Sequence, residues 1–128
     1  MAVTVTNSTI SAFNTITTMT SNAATANTDA LAEVFTITPT ETTARLAVII
    51  GGTGSLADGD ITYSFAAGDF WAGKAVTGTV TKNTEKIVQV ETANVLQDDG
   101  TILLTLTPAS TDKLLTDHAA YVKVIELV

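Results

Sequence analysis

Three observations predict a single antiparallel β-sandwich of about seven short strands with an extended N-terminal arm. Apolar and polar residues alternate with a period of two in several short runs. Turn-forming residues recur roughly every ten positions, and no stretch carries a sustained 3.6-residue period. The chain of 128 residues also suffices for one core but not for two separate ones. Immunoglobulin-like and jelly-roll wiring both satisfy these observations.

The first strand is Val34-Phe35-Thr36-Ile37-Thr38, with Phe35 and Ile37 on one face and Pro39 as its stop, since proline has no ladder donor. Residues 44–50 form the second, with Leu46, Val48 and Ile50 inward and Arg45 outward. The run from Gly51 to Asp60 is glycine-rich and reads as a long turn. Strict alternation in Ile61-Thr62-Tyr63-Ser64-Phe65 marks the third strand, and Val76-Thr77-Gly78-Thr79-Val80 the fourth. Between them Gly68-Asp69-Phe70-Trp71-Ala72-Gly73 is a loop. A turn at Lys82-Asn83-Thr84 leads into the fifth strand, residues 86–90. Residues 92–96 do not alternate and fit one helical turn, and Asp98-Asp99-Gly100 is a strong turn signal. The sixth strand, residues 102–107, ends at Pro108. A polar connection over residues 112–117 precedes the seventh, residues 120–127, which is apolar on both faces and therefore expected to be central.

Ahead of this pattern lies a segment of different character, dividing the chain into an arm over residues 1–30 and a sandwich over 31–128. Residues 1–28 carry no charged side chain, and sixteen of them are Thr, Ser or Asn. After Val3 and Val5, the apolar residues Ile10, Phe13, Ile16 and Met19 follow three apart, a spacing that fits neither helix nor strand. Disorder of the usual kind rests on high net charge, which this segment lacks. The expectation is an arm that gains its order against a partner subunit, with these six residues as anchors.

The composition points away from several functions. With six Lys+Arg against thirteen Asp+Glu the net charge is −7, which disfavours a phosphate backbone as partner. No run approaches the length of a membrane span, no basic leader is visible, and the expectation is synthesis in a host cytoplasm. The absence of Cys removes disulfides and thiol chemistry. Charged residues make up only 15%, against roughly 25% in ordinary domains, and the 26 threonines fill the gap. Outer sheet faces built of Thr repel neighbours weakly and tolerate being covered by another subunit.

Residues suited to chemistry are sparse. His118 is the only histidine, no Gly-x-Ser-x-Gly elbow accompanies it, and no enzyme activity or cofactor is expected. Gly51-Gly52-Thr53-Gly54-Ser55 has no following Lys and no helix to seat a phosphate. The acids Asp58, Asp60, Asp98 and Asp99 sit in turns, where Asp side chains bond nearby N–H groups, and are weak candidates for a calcium site between loops. The Phe70-Trp71 pair suits a plug folded back over the open end of the sandwich, an interface anchor or a flat platform for a sugar.

Two resemblances follow. The cadence from Gly68-Asp69-Phe70 through Gly78-Thr79-Val80, Lys86-Ile87-Val88, Asp99-Gly100-Thr101 and Leu104-Thr105-Leu106-Thr107 resembles Calx-β-type sandwich modules, which implies calcium bound by an acidic cluster at one end. The whole chain, with its uncharged Thr/Ser/Asn/Ala-rich start and one cysteine-free sandwich, looks more like the small auxiliary (decoration or cement) capsid proteins of tailed bacteriophages. That resemblance implies a structural protein of the virion, a homotrimer or similar cluster seated on the capsid surface and binding a capsid protein. The alternative is a carbohydrate- or receptor-binding module of similar fold.

Overall fold

The computed structural model describes residues 2–25, 32–41, 45–52, 60–81, 83–109, 114–117 and 119–127. Ten strands and one helical turn appear in the order β1 (Ala2–Thr4), β2 (Ser8–Ile10), β3 (Asn22–Ala23), β4 (Glu33–Ile37), β5 (Arg45–Gly52), β6 (Ile61–Phe65), β7 (Val76–Val80), β8 (Glu85–Val90), α1 (Thr92–Val95), β9 (Ile102–Pro108) and β10 (Ala120–Leu127). The seven strands and the single helical turn expected from the sequence are all present. The chain is an all-β sandwich.

One sheet has the order β1-β4-β9-β6-β7, and the other β2-β10-β5-β8, with β3 also on the free side of β10. From β3 onward every pairing is antiparallel, and β3 pairs with β10, β4 with β9, β5 with β8 and β6 with β7. The first half of the chain is thus zipped to the second half in reverse, like one long hairpin rolled into two sheets. This is jelly-roll wiring, in which consecutive strands mostly alternate between sheets. An immunoglobulin domain instead keeps its first two strands side by side.

Two pairings are parallel, which the sequence did not announce: β1 lies along β4 (Val3 opposite Phe35), and β2 along β10 (Ile10 opposite Leu127). The N-terminal segment is therefore not an arm waiting for a partner over residues 2–10 and 22–25. It is woven into both sheets of its own subunit. The physical reason is visible at Val5, which is 8% exposed in the shared core, with Val3 packed against that core. Val5 N–H donates to Thr36 O at 3.0 Å. Asn22, also buried, stitches the segment together: its Oδ1 accepts Thr6 N–H at 2.9 Å, and its Nδ2 donates to Val122 O at 3.0 Å.

The core fills with the inward set of each strand, among them Phe35, Phe65, Leu104 and Leu106, all fully buried. Two carboxylates also point inward and are fully buried, one near each end of the sandwich. At one end Glu33 Oε2 accepts Thr25 N–H at 2.7 Å, and Glu33 also takes the Thr25 hydroxyl. At the other, Glu126 Oε1 accepts Thr40 N–H at 2.6 Å, and its Oε2 accepts the Thr40 hydroxyl at 2.9 Å and Asn7 Nδ2 at 3.4 Å. Each carboxylate ties down chain that crosses between the sheets, which compensates its removal from water.

On the outer face of the second sheet, Tyr121 covers Gly51, donates its hydroxyl to Glu85 and lies under Lys123 Nζ at 4.9 Å from the ring centre. Burial, then the Glu85 hydrogen bond and charge, push the phenol up to about 12. The unfolded phenol titrates near 10, so its contribution to stability is present below that pH and lost as pH rises toward 12. In ultraviolet titration a tyrosinate step is expected near pH 12 that vanishes in Tyr121→Phe; a wild-type chain without that Tyr121 step would contradict this geometry.

Candidate functional site

The two sheets share one set of edges and one set of ends. Residues 5–7 join β1 to β2, and 81–84 join β7 to β8, so these pairs of strands border opposite sides of the sandwich. At one end lie the loops 66–75 and 91–101, the turn after β4, and the C-terminal end of β10 held to it by Glu126. The segment 11–21 also leaves the sheet here, since Ile10 stands opposite Leu127, which stands opposite Arg45.

This end displays apolar side chains that a solitary soluble domain would bury. Phe13 is 97%, Ile16 101% and Trp71 102% exposed, with Phe70 at 52% and Met19 at 44%. Of the six N-terminal residues expected as anchors, Val3 and Val5 are consumed by their own subunit, Ile10 is half-buried, and Phe13, Ile16 and Met19 project from it. The three-residue spacing thus marks a loop that leaves β2 and returns to β3. Both its ends are fixed, in part by Thr20 N–H donating to Ser8 Oγ at 2.9 Å.

The Trp71 loop is built as a rigid mount. Gly68 and Lys74 donate their N–H groups to Asn94 O at 2.8 and 2.7 Å, and Asp69 N–H reaches Leu96 O at 3.1 Å, so α1 clamps both ends. Asp69 Oδ2 accepts Asp98 N–H at 2.9 Å, and Gln97 Nε2 donates to Ala67 O at 3.1 Å. The backbone approaches so closely at Gly68 that a Cβ would lie 2.6 Å from Leu96 O. Held this way, Trp71 keeps its outward position without touching the core.

Beside Phe13 is a hollow of about 300 Å³ lined by Ile10, Ser11, Ala12, Phe13, Arg45 and Leu127. Its walls are mostly apolar, and the Arg45 guanidinium at its border has no hydrogen-bonding or carboxylate partner among the described residues. Arg45 was legible as an outward strand residue, but its role here depends on the Ile10–Leu127–Arg45 register, which no local pattern encodes. A second cavity of about 350 Å³ lies toward the opposite end, lined by Gly52, Asn83, Thr84, Glu85 and Tyr121.

Among the described residues, the strands of the first sheet carry no ionisable side chain on their outer face. One row runs Ala2, Val34, Thr105, Ser64 and Thr77 across all five strands, flanked by Thr4, Thr36 and Leu103 and by Thr107, Thr62 and Thr79. Seven of the 26 threonines (Thr4, Thr36, Thr62, Thr77, Thr79, Thr105 and Thr107) line this face.

The acids do not assemble as the Calx-β resemblance implies. Asp60 precedes Ile61, which pairs with Pro108 at one end of β9, whereas Asp98 and Asp99 precede Ile102 at the other. Seven strand residues, roughly 20 Å, separate the two ends, so these acids cannot share a cation. Asp99 is occupied as a turn acid: the Thr101 hydroxyl and N–H donate to its Oδ1 at 2.6 and 3.0 Å and hold its carboxyl below the ordinary range. Among the described residues no group of three or more His, Asp or Glu side chains is placed to hold a metal. Asp58 and His118 lie outside the described residues.

Neither the family models, the curated proteins nor the solved structures offer a match to this chain. The functional reading rests on the geometry alone.

Proposed function

We propose that the chain is a non-enzymatic structural protein that associates with itself and seats on a larger shell, in the manner of a capsid decoration or cement protein. The observation that carries this reading is the end of the sandwich where Phe13, Ile16 and Trp71 stand fully exposed on loops fixed at both ends. Exposed large apolar groups gathered in this way mark contact surfaces, and aromatic anchors on pre-organised loops lose little entropy on docking. The uncharged threonine face supports the same reading, because it can lie against a neighbour without desolvating charge. Many weak copies on equivalent sites stabilise a shell by mass action, so no single contact has to be strong.

Co-sedimentation with shells assembled from a capsid protein encoded in the same genome tests the proposal, and a genome that encodes no capsid protein overturns it. Saturable binding is expected, with a rise in the temperature at which the shells rupture. Phe13→Ser/Ile16→Ser should weaken binding by about tenfold or more. A wild-type chain that leaves shells unbound and their rupture temperature unchanged overturns it. Trp71 also favours a second reading, a glycan-binding module, because an exposed indole offers a stacking face for a sugar. Saturable glycan binding that perturbs Trp71 fluorescence, without shell binding, would select that reading.

A further inference from the structure

The geometry points to a specific self-contact: the hollow between Phe13 and Arg45 receives Trp71 of a second copy, with Asp69 of that copy against the Arg45 guanidinium. This deepens the assembly reading above and rests on it.

Donor and receptor have matching chemistry. The hollow is apolar with a single cation at its border, and at about 300 Å³ it is at the small end for ligand sites. An aromatic side chain accompanied by a carboxylate suits it. The loop offers that combination: Trp71 is wholly exposed, and exposed Asp69 two residues earlier spends Oδ2 on Asp98 N–H at 2.9 Å. In a chain of net charge −7, self-association needs such a local pairing of opposite signs to offset general repulsion.

Their placement fixes the kind of assembly. Both lie at the same end of the sandwich, but the hollow lies across β2, β10 and β5 of the second sheet, whereas the loop that joins β6 to β7 stands at the far edge of the first. One subunit cannot satisfy itself, and each copy carries one donor and one receptor. Such contacts are head-to-tail, and they close into a ring where the rotation between copies closes and run on as a filament where it does not. With Phe13 covered by the neighbour's Trp71, the exposed Ile16 side chains remain at the common end, where a shell would be met.

The chain contains one tryptophan, so its emission reports on this contact directly. In sedimentation velocity of the full chain, mass is expected to grow with concentration, while Trp71 emission shifts to the blue in step. Arg45→Glu should weaken association by about tenfold or more and leave the emission water-exposed. Mixing Trp71→Ala with Arg45→Glu should stop at pairs, because one donor and one receptor survive. A wild-type chain that remains monomeric, or that associates with unchanged Trp71 emission, overturns the contact. No shell enters this experiment, so its failure leaves the co-sedimentation result standing on its own.

Discussion

Deleting residues 1–10 is expected to destabilise the sandwich by on the order of 5 kcal/mol, from one buried valine and the hydrogen bonds of two edge strands. The loss would remove β1 from the first sheet, β2 from the second, and Val5 from the core they share. It would also strand Asn22, whose Oδ1 and Nδ2 bridge Thr6 and Val122. Urea unfolding measures it, and Val5→Ala provides a milder variant, expected to cost about 1–2 kcal/mol, should the truncated chain fail to fold. An unchanged midpoint in both would mean that the leading segment is an appendage after all.

Second in size is Glu126→Ala, expected to cost about 3 kcal/mol. The carboxylate is fully buried and receives the N–H and hydroxyl of Thr40, together with Asn7 Nδ2. Hydrogen bonds to a charged acceptor contribute more than neutral ones, and an orphaned buried N–H has its own penalty. Glu126→Gln keeps the shape and part of the accepting capacity, and an intermediate loss is expected. Chemical denaturation of the three proteins checks the ranking. Equal stability for Ala and wild type would show that the turn after β4 holds itself without the carboxylate.

Much of this architecture was legible along the chain, and the exceptions have identifiable causes. Alternation located the seven long strands because each buries one face, and the two-sided apolar run of β10 announced its central place between β5 and the N-terminal strands. The strands β1, β2 and β3 have only three, three and two residues, too few for a period to show. Val3 and Val5 did alternate with threonines, which is a strand signal, but the uncharged composition around them suggested a separate arm. Glu33 and Glu126 stand at inward positions that a carboxylate normally avoids. Only the folded crossings, which bring Thr25, Thr40 and Asn7 against them, make those positions tenable. The exposed apolar end was half visible: Phe13, Ile16, Met19, Phe70 and Trp71 were singled out, whereas the hollow beside Arg45 and Leu127 arises only through pairings between distant strands.

The rolled-hairpin wiring also sets a timetable for synthesis. β10 is the strand on which β2, β3 and β5 all depend, and it occupies residues 120–127. While the ribosome is still extending the chain, β1 can already lie along β4, but β2 and β3 have no partner strand until β10 emerges. Folds dominated by such distant pairings mature slowly. A nascent chain of this kind therefore acquires its second sheet late, when residues 120–127 become free to pair.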